Sequence, residues 1–122
     1  MRHEIVPLRH EHLMQWYGDD GRAPTVKGIA AFVDGELAAI AGFRITQGVV
    51  IAFCDLKESA RPFRHAIHRT ALKLMDEAKA RHRRIVAVCD EREPTAPKWL
   101  RRLGFEPEDN GIWAWHRGAV NG

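Results

Sequence analysis

Two short turns followed by one change of hydrophobic period constrain this chain more than any other feature. Val, Ile, Phe and Ala dominate residues 26–33 and 37–45, and Asp34-Gly35 separates the two runs. An Asp-Gly pair between apolar runs is a strong hairpin signal, because both residues accept the left-handed backbone of a tight turn. Gln47-Gly48 makes a second turn, and Val49–Cys54 follows as the third strand of a meander. The period then lengthens. Across 62–81, Phe63, Ile67, Leu74 and Ala78 recur at helical spacings, with Ala71 and Met75 beside them. That helix returns the chain to the apolar run Ile85–Cys89, so strand, crossover helix and strand make a right-handed parallel unit. A meander feeding a parallel crossover is a mixed sheet with helices packed on its faces.

The two ends extend this pattern. Glu4–Leu8 is a short strand interrupted by Pro7, which suits a sheet edge or a strand exit. Leu13, Met14, Trp16 and Tyr17 mark a short amphipathic helix over 11–17, and residues 18–24 are a loop by composition. Trp99-Leu100-Arg101-Arg102-Leu103-Gly104-Phe105 reads as a short helix running into a turn and a new strand. Gly104 supplies the left-handed cap, and the two arginines favour the negative end of the helix dipole. The last strand, Ile112–Trp115, is entered through Asn110-Gly111, and its two tryptophans share one face as core or as a homodimer contact. The expected order is β-α-β-β-β-α-β-α-β-β, an α/β fold with a mixed sheet in one domain over 1–122.

The chain has 122 residues and a net charge of +3, with its bases concentrated at 61–84 and 98–102. A basic patch of this kind suits a nucleotide phosphate or an acidic protein. Nucleic acid is not expected, because no nucleic-acid-binding motif accompanies the charge. No apolar run approaches the ~20 residues of a membrane span, and the N-terminus lacks a signal-peptide core. Cys54 and Cys89 lie in apolar strand runs as inert thiols, so the chain reads as cytoplasmic and reduced. His65 with His68, and His10 with His12, have metal-ligand spacing but no third ligand, so no metal is expected.

Over nearly its whole length this order, with the helix closing on Leu103-Gly104-Phe105, resembles the GNAT acyltransferase fold, its first helical region shortened. The stretch Arg61-Pro62-Phe63-Arg64-His65, with the aromatic-containing helix before Leu103-Gly104, is also similar to short-tailed phage proteins related to internal virion protein A.

The GNAT resemblance implies an acetyl-CoA-dependent N-acetyltransferase, with CoA and an unidentified amine as its partners. The family's pyrophosphate loop is Gln or Arg, two residues, Gly, one residue, then Gly or Ala, because bare amides at a helix start must approach the phosphates closely. Here Arg61-Pro62-Phe63-Arg64-His65-Ala66 matches only at its ends, and Arg64 stands where the first glycine belongs. Leu56, Arg61, Arg64, His65, Ala66 and Ile67 are the implied cofactor-binding positions, with basic side chains replacing bare amides. Asp55 and Asp90, ending the fourth and fifth strands, are the implied bases, with Glu58 and Glu91 as neighbours. The family's tyrosine four residues before the glycine of the Leu-Gly-Phe segment is replaced by Leu100. That replacement and the altered loop support an alternative, a non-catalytic GNAT-fold phage protein that binds a protein partner. The two readings differ in one respect. An enzyme needs an opening between the fourth and fifth strands, and a binding protein has it filled by Phe63 or Arg64.

Overall fold

The computed structural model describes residues 2–18, 25–88 and 94–118, and these form a seven-stranded sheet in the order β1-β2-β3-β4-β5-β7-β6. Strands β1 (His3–Pro7), β2 (Thr25–Val33), β3 (Glu36–Thr46) and β4 (Val49–Leu56) form an antiparallel meander, with helix α1 (His10–Tyr17) between β1 and β2. A 3₁₀ helix, Glu58–Phe63, and helix α2 (Arg64–Arg81) lead to β5 (Arg84–Val88), which lies parallel to β4. Helix α3 (Ala96–Arg102), strand β6 (Glu106–Pro107) and strand β7 (Ile112–His116) follow, with β7 antiparallel to both β5 and β6. The mixed sheet and its element order agree with the sequence reading.

Local chemistry explains the joints. Asp34 and Gly35 have φ of 51° and 84°, and Gln47 and Gly48 have 50° and 78°. Two successive left-handed residues make the turn whose twist matches paired strands. Pro7 is tolerated because β1 is an edge strand paired only with β2. One boundary differs from expectation: residues 62 and 63 close the 3₁₀ helix, and α2 begins at Arg64. Pro62 has no N–H to continue an α-helical ladder, and the Arg64 amide bonds back to the Arg61 carbonyl in the tighter 3₁₀ pattern.

Strand alternation divides the side chains between two faces. Ala39, Ala41, Phe43, Val50 and Cys54 face α2, where Ile67, Met75 and Ala78 meet them, and Leu100 of α3 and Leu103 just after it join the same layer. Phe105 lies at the centre of that layer and is only 1% exposed. Trp113 is buried there and Trp115 packs beside it, so the tryptophan alternation serves the core. The opposite face is covered by α1, whose Leu13 and Trp16 pack on Ala30, Leu37, Ile40 and Phe53. Gly104 has φ of 95° as the turn after α3, and the Arg117 guanidinium donates to the Lys79 and Ala80 carbonyls, closing the end of α2.

Phe105→Ala is expected to cost about 3–5 kcal/mol, because it leaves a cavity among residues that cannot collapse into it. Val88→Ala, at a side chain 73% exposed, is expected to stay within about 0.5 kcal/mol of wild type. Urea unfolding midpoints at constant m-value measure both.

Candidate active site between β4 and β5

Among the described residues the β4–β5 seam is short. Its parallel ladder consists of Ile51 opposite Val86 and Ala52 opposite Ala87, whereas β4 stays paired to β3 as far as Leu56. The Lys57 amide donates to the Ala38 carbonyl at 2.8 Å, which extends the β3–β4 register by one pair. Hydrogen-bonded pairs alternate in an antiparallel ladder, so Asp55 and Phe53 bond toward β3. The backbone N–H and C=O of Cys54 and Leu56 therefore point the other way, into an opening that begins where Val88, the last described residue of β5, is no longer paired to β4. A cavity of about 70 Å³ adjoins this gap on the α2 side, lined by apolar groups of Cys54, Ala71, Leu74, Val88, Trp99 and Phe105. Phe63 does not fill it. That ring stacks on His3 at 4.3 Å between centroids and packs against the core under β2 and β3.

The α1 side of the gap carries the polar groups. Asp55 is half-buried on β4, and the Tyr17 hydroxyl at the end of α1 donates to its Oδ2 at 2.8 Å. Burial first, then the hydrogen bond and charge of Asp55, push the Tyr17 phenol up to about 12, while Arg44 opposes the rise. Neighbouring Cys54 is held protonated: burial, aided by the Asp55 charge, pushes its thiol up to about 12. A thiol in that state is not a nucleophile. Asp90 and Glu91 lie outside the described residues.

The turn before α2 carries the other expected site residues. Leu56 is 44% exposed at the lip of the gap. Arg61 pairs with Glu58 at 3.0 Å within the 3₁₀ helix, and Arg64 and His65 are exposed at the start of α2. Ala66 is half-buried, and its carbonyl accepts a hydrogen bond from Thr70. The Ile67 side chain is a core anchor, 2% exposed, so only its backbone is available to a ligand. His68 is committed to the α2–α3 contact, where its Nδ1 accepts from the Trp99 indole N–H. Burial, with the nearby Arg102 and His65 charges, lowers the His68 pKa. Leu100 is buried and contributes an apolar wall to the cavity beside the gap, with no group that could donate a proton.

The arrangement of these elements as a whole recurs in solved structures. The fold is that of the GNAT N-acetyltransferases. The ribosomal-protein-S18-alanine N-acetyltransferase of Escherichia coli superposes with a TM-score of 0.67 over 94% of each chain, at 14% identity. A GNAT phosphinothricin acetyltransferase from Sinorhizobium meliloti, solved with acetyl-CoA, gives 0.66 over 95% of this chain and 89% of that one, at 14% identity. An aminoglycoside acetyltransferase solved with coenzyme A gives 0.61 over 95% of both chains, at 11% identity. No protein-family model and no curated protein matches the chain.

Tyr17 lies in the first helix, where the sequence assigns it no role, and only the fold brings it to Asp55. It is the only tyrosine of the chain, and 38 positions separate it from Asp55. Being unique makes it measurable: phenolate absorbance should report a titration near pH 12, falling back toward 10.0 in Asp55→Ala. The fold favours the protonated phenol, so this group's contribution to stability is complete below pH 10.0 and is lost as pH rises toward about 12. Thermal melts across that interval should show a larger loss in wild type than in Tyr17→Phe, which keeps the loss due to Cys54, raised in the same way.

Proposed function

We propose that this protein is an acetyl-CoA-dependent N-acetyltransferase with an altered phosphate-binding turn. The observation that carries the reading is the opening beyond Ala52 and Ala87, toward which Cys54 and Leu56 direct their backbone polar groups beside an apolar cavity. An extended ligand with alternating amide and methylene groups fits such an edge, since it can pair with strand backbone while its apolar parts leave water. Acetyl-CoA has an arm of that kind, and when bound it supplies an activated acetyl thioester. Arg61, Arg64 and His65 would hold its phosphates with charged side chains at the start of α2, where the family relies on glycine amides. Asp55 is the base of this reading: an aspartate on the strand that borders the gap takes the proton that an acceptor amine must lose. The GNAT-fold neighbours solved with acetyl-CoA or coenzyme A support the same ligand class.

A second reading rests on a specific observation. The phosphate turn has no glycine and is wound into a 3₁₀ helix, and Leu100 is buried where the family tyrosine stands. These features favour a non-catalytic GNAT-fold protein, of phage origin in keeping with the Arg61–His65 resemblance, whose basic helix start binds a partner protein.

Calorimetric titration with acetyl-CoA and with CoA separates the two. The first reading expects saturable binding, weakened tenfold or more (~1.4 kcal/mol) by Arg61→Ala with Arg64→Ala. Asp55→Asn is expected to leave that affinity within about twofold while lowering CoA release with primary amines by roughly 10²-fold or more. Absence of heat at millimolar ligand, with an unchanged melting temperature, sinks the enzyme and leaves the binding protein.

A further inference from the structure

The α1 face of the sheet holds a second charge that the proposed chemistry leaves unused. β3 and β4 pair in unbroken register, with Ile40 opposite Asp55, Gly42 opposite Phe53 and Arg44 opposite Ile51. Directly opposed residues project to the same side, so Arg44 and Asp55 lie on one face, the face on which Ile40 and Phe53 meet α1. The Arg44 row lies four positions along β3 from the Ile40 row, roughly 13 Å. Between them Gly42 carries no side chain, so on β3 nothing stands in that interval. Gly42 must remain glycine for a separate reason: a Cβ there would collide with the Lys27 carbonyl on β2.

Arg44 is exposed, and among the described residues it makes no hydrogen bond or ion pair. The nearby cations are differently placed. Lys57 lies over the Trp16 ring at 5.2 Å, and Lys27 is bound to Glu77 at 2.7 Å. Arg44 is nonetheless close enough to the Tyr17–Asp55 pair for its charge to act on the Tyr17 phenol. A carboxylate fixed by a tyrosine and an unengaged guanidinium on the same face form a two-point site: one end takes an ammonium group, the other an anion. The guanidinium fork suits carboxylate or phosphate geometry.

We propose that the acceptor of this protein is an amine that also carries an anionic group, with Asp55 receiving the amine and Arg44 anchoring the anion. This rests on the acetyltransferase reading for its chemistry but not for its binding. An acceptor with both charges gains affinity from the second contact. A plain alkylamine leaves Arg44 unused.

The test needs no acetyl-CoA. Glycine, β-alanine, 4-aminobutyrate and 6-aminohexanoate are titrated into the isotopically labelled chain, each against the alkylamine of the same carbon number, and affinities are read from amide chemical shifts. At least one amino acid is expected to bind tenfold or more tighter than its alkylamine. Arg44→Gln should erase that preference without altering the far-UV circular dichroism spectrum, while Asp55→Asn should weaken both series. Equal affinities, a preference that survives Arg44→Gln, or shifts that map away from β3 and β4 overturn the proposal, as does the absence of binding in both series. Amino-acid preference in a chain that gives no heat with acetyl-CoA keeps the two-point site and sinks the acetyltransferase. Acetyl-CoA binding without that preference does the reverse.

Discussion

The whole site depends on where one ladder of hydrogen bonds stops. β4 is paired to β3 along its full length, and β5 is paired to β7 along its full length, but among the described residues β4 and β5 share two register pairs. The sheet is therefore two well-knit halves joined by a short parallel seam. Sheets twist by roughly 20–25° per strand, and a seam anchored at one end lets that twist open the other. Backbone polar groups left facing an opening must find a partner, because burying them unpaired is costly. The outward-facing backbone edge of β4 borders an apolar cavity that α2, α3 and Phe105 close off.

Each face of the sheet contributes something different to that opening. The α2 face is packed with Phe43, Met75, Leu100 and Phe105, leaving room only for a thin apolar group. The α1 face is covered by a helix of eight residues, short enough to leave Arg44 exposed while placing Tyr17 on Asp55. Charge is distributed with the same asymmetry. Arg64 and His65 crowd the positive end of α2, which has no acidic residue in its first turn and no side-chain cap. Helix dipoles disfavour cations there, so an anionic ligand would relieve an existing strain. Glu58 relieves it in part by pairing with Arg61 one turn earlier.

Much of the scaffold was legible because its signals are local. Asp34-Gly35 and Gln47-Gly48 adopt left-handed turns wherever the flanking strands pair, and Pro7 and Gly104 act through backbone geometry that needs no distant partner. The helical spacing of Ile67, Met75 and Ala78 marks the face of α2 that must be buried. The 3₁₀ opening of that helix was less visible, because Phe63 continues the apolar spacing while Pro62 decides the backbone. Asp55 was legible as a strand-end carboxylate bordering the gap. Its partner was not. Tyr17 reads as one more aromatic of an amphipathic helix until α1 is laid across the sheet.

Taken alone, the sequence determined the number and type of elements, their order, the parallel crossover and the residues that had to be buried. All of these follow from hydrophobic period and turn chemistry within a few residues of each other. Tertiary structure alone decided that Val88, the last described residue of β5, is unpaired with β4, that Phe63 turns toward His3 and away from the gap, and that Tyr17, Asp55 and Arg44 share one face. Those outcomes depend on strand register and sheet twist, which sum contributions from residues far apart in the chain and leave no mark at any single position.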